Sequence, residues 1–207
     1  VDVTELFDFL TRIQADVKNQ KLLPDFGLKR LLTLQNALKG IPSGKGSEKP
    51  YKDFLKTNEK IVTFSEPAGE WYVRSELFWD LRKKFSTATN AEEIAWTGAK
   101  NPLAGECEGY VNCYLFIMRE TNAKYLEIYP NGKYSLEAIK NIQNLLDPIV
   151  ADLKDKQVYT GPTDVSDRAE FYRLISEIRT IASKSTISEE EKQKLIQQLN
   201  QISEAFR

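Results

Sequence analysis

Apolar residues recur at three- and four-residue intervals through most of this chain, and a stripe of that period can be buried only as one face of an α-helix. Leu6, Phe9, Leu10, Ile13 and Val17 form one stripe and predict a helix from about Thr4 to Lys18. Leu28, Leu31, Leu32 and Leu38 form the next, a helix from about Asp25 to Lys39 stopped by Gly40 and Pro42. The two make an antiparallel helical hairpin. Further helices are expected over Glu76–Phe85 with Ser75 as its cap, Ala91–Gly98 capped by Asn90, Tyr110–Tyr129, Ser135–Asp152, Asp164–Ser183 and Ser188–Phe206. Ser188 with Glu191 reads as a capping box, and Leu195, Leu199, Ile202 and Phe206 continue a seam beyond it. Arg82-Lys83-Lys84 suits the negative end of a helix dipole better than a nucleic-acid footprint.

One stretch has a different character. Lys60-Ile-Val-Thr-Phe64 and Glu70-Trp-Tyr-Val-Arg74 are β-branched and aromatic runs, separated by Ser65-Glu-Pro-Ala-Gly69, which has the length and residues of a hairpin loop. The expected fold class is therefore mainly α: about eight helices in helical hairpins, with a small β-hairpin inserted near 60–74. The chain has 207 residues, 41% of them apolar, enough for a core. Its expected parts are an N-terminal helical hairpin at 1–48, a mixed middle region at 49–157 and a C-terminal helical hairpin at 158–207, or all three in one compact domain. Ile41–Pro50, with its Pro-Ser-Gly-Lys-Gly-Ser run, is the most linker-like segment.

Function is bounded mainly by what is missing. The chain has no histidine, which removes the imidazole base, the Ser-His and Cys-His nucleophile pairs and the His metal ligand. Lys plus Arg number 29 against 30 Asp plus Glu, so no global field draws nucleic acid. No run approaches the roughly 18 apolar residues of a membrane span. Gly44-Lys-Gly46 lacks the spacing and Lys-Ser/Thr ending of a phosphate loop, so no cofactor is expected. Two cysteines without histidine would need carboxylates to complete a metal shell, an unusual zinc site, so no metal is expected either.

Those cysteines, Cys107 and Cys113, lie in Gly105-Glu-Cys-Glu-Gly-Tyr-Val-Asn-Cys-Tyr114. In one continuous helix their Cα atoms would be about 9 Å apart and on different faces, too far for a bridge. Gly105 and Gly109 argue for a loop leading into a helix near Tyr110, which could fold back and join the sulfurs. A Cys107–Cys113 disulfide is the expectation, two buried free thiols the alternative. The chain opens Val1-Asp2-Val3-Thr4 without an initiator Met or leader, and the expectation is a processed mature form. With a disulfide, that places it outside the cytoplasm: periplasmic, secreted or lipid-anchored.

The stretch Ala123-Lys-Tyr-Leu-Glu-Ile-Tyr-Pro-Asn-Gly-Lys-Tyr-Ser-Leu-Glu-Ala-Ile-Lys-Asn-Ile142 resembles the helix-turn-helix of tetratricopeptide-like repeats in bacterial envelope proteins, such as outer-membrane assembly lipoproteins. Tyr125, Tyr129, Pro130, Gly132 and Ala138 carry the match, over about residues 110–152. Pro130 cannot continue the first helix, Asn131-Gly132 supplies the reversal and Ala138 permits close helix approach. The resemblance implies a local packing geometry and an envelope setting; it implies no binding residues.

Aromatic residues crowd the middle, with all three tryptophans between 71 and 96. Trp71, Tyr72, Trp79, Trp96, Tyr110 and Tyr114 could line a groove for a sugar ring or a peptide, or could be core that holds the ribbon to its helices. Trp71 and Tyr72 are consecutive in a strand and point to opposite faces, so whichever faces outward is the candidate contact. Paired carboxylates are the acid-base equipment that remains, with Glu66, Glu70, Glu106 and Glu108 in loops near aromatics; in a charge-balanced chain the plain alternative is solvated surface. Together these residues point to a non-catalytic extracytoplasmic helical adaptor or accessory protein that binds a protein or peptide partner. The alternatives are a carbohydrate- or cell-wall-binding module using the aromatics, and a carboxylate-dependent hydrolase.

Overall fold

The computed structural model describes Arg12, residues 24–42 and residues 44–207. The helix expected over Thr4–Lys18 lies outside the described residues. Among the described residues the fold is mainly α with one two-stranded antiparallel ribbon, as the sequence predicts. The chain divides into two compact units, Val1–Glu106 and Cys107–Arg207. That division falls inside the stretch expected as a middle region, so the ribbon belongs with the N-terminal helices and the Tyr-Pro turn with the C-terminal hairpin.

In the first unit, α1 (Pro24–Leu38) is followed by a short 3-10 turn at Lys45–Ser47, then α2 (Tyr51–Thr57), β1 (Val62–Ser65), β2 (Glu70–Val73), α3 (Ser75–Lys84) and α4 (Ala91–Lys100). Leu28, Leu31, Leu34 and Leu38 bury one stripe of α1 against Phe54, Leu55, Val62, Val73, Phe78 and Ile94. The ribbon pairs Val62 with Val73 and Phe64 with Trp71, all four on the face turned to this core. Tyr72 takes the other face with Glu70, whose carboxylate accepts from its hydroxyl at 3.1 Å. A ribbon of this size is marginal alone, and Gln35 of α1 ties it down by accepting from the Val73 N–H at 2.9 Å.

Two expected caps do other work. Ser75 does not cap α3; it is the first helical residue, and its hydroxyl donates to the Gly98 carbonyl at 2.9 Å, joining the start of α3 to the end of α4. Asn90 precedes α4 without a side-chain cap bond, and its amide donates to Asp25 at the start of α1 at 2.7 Å. Arg82, Lys83 and Lys84 do occupy the last turn of α3.

The second unit holds α5 (Val111–Met118), a π-helical turn at Arg119–Ala123, α6 (Lys124–Ile128), α7 (Ser135–Asp152), α8 (Val165–Lys184) and α9 (Glu189–Ala205). Leu115, Met118, Ile139, Ile142, Leu146, Phe171, Leu174, Leu195 and Leu199 are fully buried and form its interior. Asp164 caps α8 by accepting from Asp167 N at 2.9 Å, and Ser188 caps α9 by accepting from Glu191 N at 3.4 Å. At the turn between α6 and α7, Gly132 N donates to the Tyr129 carbonyl, as does the Ser135 hydroxyl, while the buried Tyr125 hydroxyl accepts from Tyr134 N at 3.1 Å. Ala138 is fully buried at the start of α7, as a close helix approach requires.

Candidate functional site

Three places gather functional residue types, each inside one unit. The first is the loop that opens the second unit. Cys107 and Cys113 are disulfide-bonded, with Cα atoms 5.4 Å apart. The chain folds back between them because Gly109 takes φ +82°, a left-handed conformation open to glycine. A Cβ there would lie 2.1 Å from the Val158 carbonyl oxygen. The close approach is a short parallel pairing, in which Thr160 N donates to Gly109 O at 2.9 Å and Val111 N to Thr160 O at 3.0 Å. The 157–159 segment is held from the other side by Asp152, whose carboxylate accepts from the N–H groups of Gln157, Val158 and Tyr159. The Tyr159 N–H, followed by the other two, outweighs desolvation and holds the Asp152 carboxyl below the usual range. Burial, with the Asp167 carboxylate beside the hydroxyl, pushes Tyr110 up to about 12.

The second place is the tip of the ribbon. Trp71 and Phe64 lie cross-strand with ring centroids 5.1 Å apart and line a cavity of about 260 Å³ with Gly44, Gly46 and Ser47. Gly46 packs so closely that a Cβ would sit 3.0 Å from the indole. The segment expected as a linker is thus the roof of an aromatic recess.

The third place is a groove of about 370 Å³ in the second unit, between α8 and the segment formed by the π-helical turn and α6. Pro130, with the buried Leu126 and Ile181 behind it, gives it an apolar wall, and Arg119, Glu127, Glu177 and Lys184 line it with charge. Arg119 is the first residue of the π-helical turn. Its Nε donates to Glu177 Oε2 at 2.6 Å and its Nη2 to Glu127 Oε2 at 2.9 Å. Burial lowers the Arg119 pKa, but Glu177 and Glu127 more than offset it and the net shift is upward. Arg119, and then Arg173, hold the Glu177 carboxyl below its ordinary range. Glu170, Arg173, Glu177, Arg119 and Glu127 thereby form one chain of alternating charge.

Of the six aromatic residues named from sequence, the four in the first unit do not share one groove. Trp71 lines the ribbon cavity and Tyr72 faces the opposite way. Trp96 is 2% exposed and belongs to the core, while Trp79 is half-buried beside Gly98. Tyr110 and Tyr114 lie in the other unit next to the disulfide, Tyr114 edge-to-face with Tyr159 at 5.5 Å. Glu66, Glu70, Glu106 and Glu108 are all exposed. Arg119, Glu177 and Lys184 escaped sequence reasoning altogether. Among the described residues no group of three or more His, Cys, Asp or Glu could hold a metal ion, and no helix is long and apolar enough to cross a membrane.

No family model matches the chain, and neither a curated protein nor a solved structure matches it. The functional reading therefore rests on the geometry of these sites.

Proposed function

We propose that this protein is a non-catalytic extracytoplasmic adaptor or accessory protein that holds a peptide segment of a protein partner in the groove between α6 and α8. The observation that carries the reading is the groove itself: an apolar wall of Leu126, Pro130 and Ile181 bordered by fixed charges, the composition of a site that orients a ligand by a few polar groups and binds it by apolar contact. The groove includes Pro130 of the Tyr-Pro turn, whose sequence resembles that of tetratricopeptide-like repeats of envelope proteins, and the resemblance supports an envelope setting for the partner as well. The Cys107–Cys113 bridge supports an oxidising compartment, because such bonds persist outside the cytoplasm and are rare within it.

A photocrosslinking side chain placed at Ser176, exposed on the groove wall, tests this in envelope extract. The expected result is an adduct with a discrete segment of one partner, absent when the same group is placed at Asn144, exposed on α7. Equal labelling from both positions, or none, refutes the reading.

The cavity at Trp71 favours a second reading, in which the indole face stacks on a sugar ring and the module binds cell-wall carbohydrate. Soluble peptidoglycan fragments would then quench tryptophan fluorescence in the wild type and not in Trp71→Phe.

A further inference from the structure

The geometry points to an acidic side chain of an extended peptide, lying next to an aliphatic one, as the group that the groove of the second unit takes. This rests on the peptide-binding reading above and names the chemistry of its ligand.

The inference begins with Arg119. Two of its nitrogens, Nε and Nη2, each donate to a separate carboxylate, and Nη1 takes part in neither bond. A guanidinium pinned through two nitrogens is a rigid plane, so its remaining donors keep a fixed direction at the groove they line. Lys184, in the last turn of α8, lines the same groove and forms no ion pair among the described residues. Two cationic donor groups are therefore available beside the apolar wall of Leu126, Pro130 and Ile181.

Charge then selects the ligand class. Glu177 has both oxygens engaged, one by Arg119 and one by Arg173, and Glu127 has one engaged by Arg119. A single carboxylate meets the free donors of Arg119 and Lys184 with charge-assisted bonds. A dianionic phosphate would bring a second negative charge close to Glu127 and Glu177, and a cationic group would have only the second oxygen of Glu127 to meet, with Arg119 and Lys184 already beside it. Access distinguishes a side chain from a chain terminus. The Arg119 side chain is only 16% exposed, so an acceptor must reach it on a stem. Asp and Glu carboxylates stand on one or two methylenes and let the main chain run along the apolar wall. A terminal carboxylate is joined to the backbone and would have to carry the main chain into the recess.

The test is selection of a random hexapeptide library, acetylated and amidated at its ends, on the intact protein, with Thr180→Trp as counter-selection. Thr180 is an exposed groove residue, and an indole there fills the groove. The retained peptides are expected to carry Asp or Glu beside Leu, Ile or Val several-fold above the input. Lys184→Gln in the protein should weaken binding about tenfold, the value of one hydrogen bond to a charged group, and changing that acid to its amide should weaken it further, because the amide loses the charge that both Lys184 and Arg119 meet. The two changes together should cost little more than the amide change alone, since that change already removes the Lys184 contact. Circular dichroism of both variants confirms that the fold is kept. Thr180-sensitive peptides without acidic enrichment, or with affinity indifferent to Lys184→Gln, overturn the acidic assignment and leave the peptide reading standing. Enrichment that appears only when the peptide C-terminus is left free overturns it in favour of a terminal carboxylate. No Thr180-sensitive peptide of any composition removes the peptide reading, and the acidic assignment with it.

Discussion

Replacing Gly109 by alanine separates backbone strain from steric exclusion, because the chain carries its own control at Gly105. Both glycines have positive φ, +82° and +91°, a region that costs an L-residue about 1–2 kcal/mol. Only at Gly109 does the new methyl meet the molecule, at 2.1 Å from the Val158 oxygen; at Gly105 nothing lies within 4 Å. To admit it, the 158–160 segment must withdraw, and the bonds Thr160 N to Gly109 O and Val111 N to Thr160 O are lost. At about 1 kcal/mol each these add to the strain, giving about 3–4 kcal/mol for Gly109→Ala against about 1–2 for Gly105→Ala. Urea unfolding followed by far-ultraviolet circular dichroism measures both, with the midpoint falling and the slope unchanged. Equal losses at the two positions would refute the argument that the parallel pairing at Thr160 holds this end of the unit.

Three further outcomes follow from the same geometry. Changing Cys107 and Cys113 together to alanine opens a short loop and should lower stability by about 2 kcal/mol, an effect a dithiol reductant reproduces in the wild type and fails to deepen in the variant. Asp152 has a lowered pKa, so the stability it supplies is present above its ordinary value of 3.8 and is lost as the pH falls through the lower, folded value; an acid titration of unfolding should show a shallower decline in Asp152→Asn, which also starts less stable at neutral pH because its amide cannot accept at every N–H it faces. Gly46→Val should displace the Trp71 indole, since even a Cβ at that position lies 3.0 Å from it, and the tryptophan emission maximum should move to longer wavelength; an unchanged spectrum would mean that the 44–47 segment does not roof the indole.

Helix positions were legible because their signals are local. The stripe Leu28–Leu31–Leu38, the Ser188–Glu191 box and the Pro130 break act within a few residues, and α1, α9 and the α6–α7 turn lie where those signals put them. The ribbon was legible for the same reason, and even the opposed faces of Trp71 and Tyr72 follow from strand geometry. Ser75 and Asn90 depart from the caps their sequence suggests because a hydroxyl and an amide have several possible partners, and here the Gly98 carbonyl and the Asp25 carboxylate, 23 and 65 residues away in sequence, take precedence over the local N–H groups. Tyr51–Thr57 carries no clear sequence signal because a seven-residue helix makes less than two turns of periodicity. The groove was the least legible part. Arg119 and Glu177 are 58 residues apart, and the π-helical turn that Arg119 opens interrupts what reads in sequence as one continuous helix from Tyr110 to Tyr129.

The pairing between Gly109–Val111 and Thr160 has a kinetic corollary. Two stretches about fifty positions apart share their hydrogen bonds, so the amide protons of Val111 and Thr160 become available to solvent in a single opening event. Their deuterium uptake should therefore follow one common rate, and severing the sulfur link beside them should quicken both by the same factor.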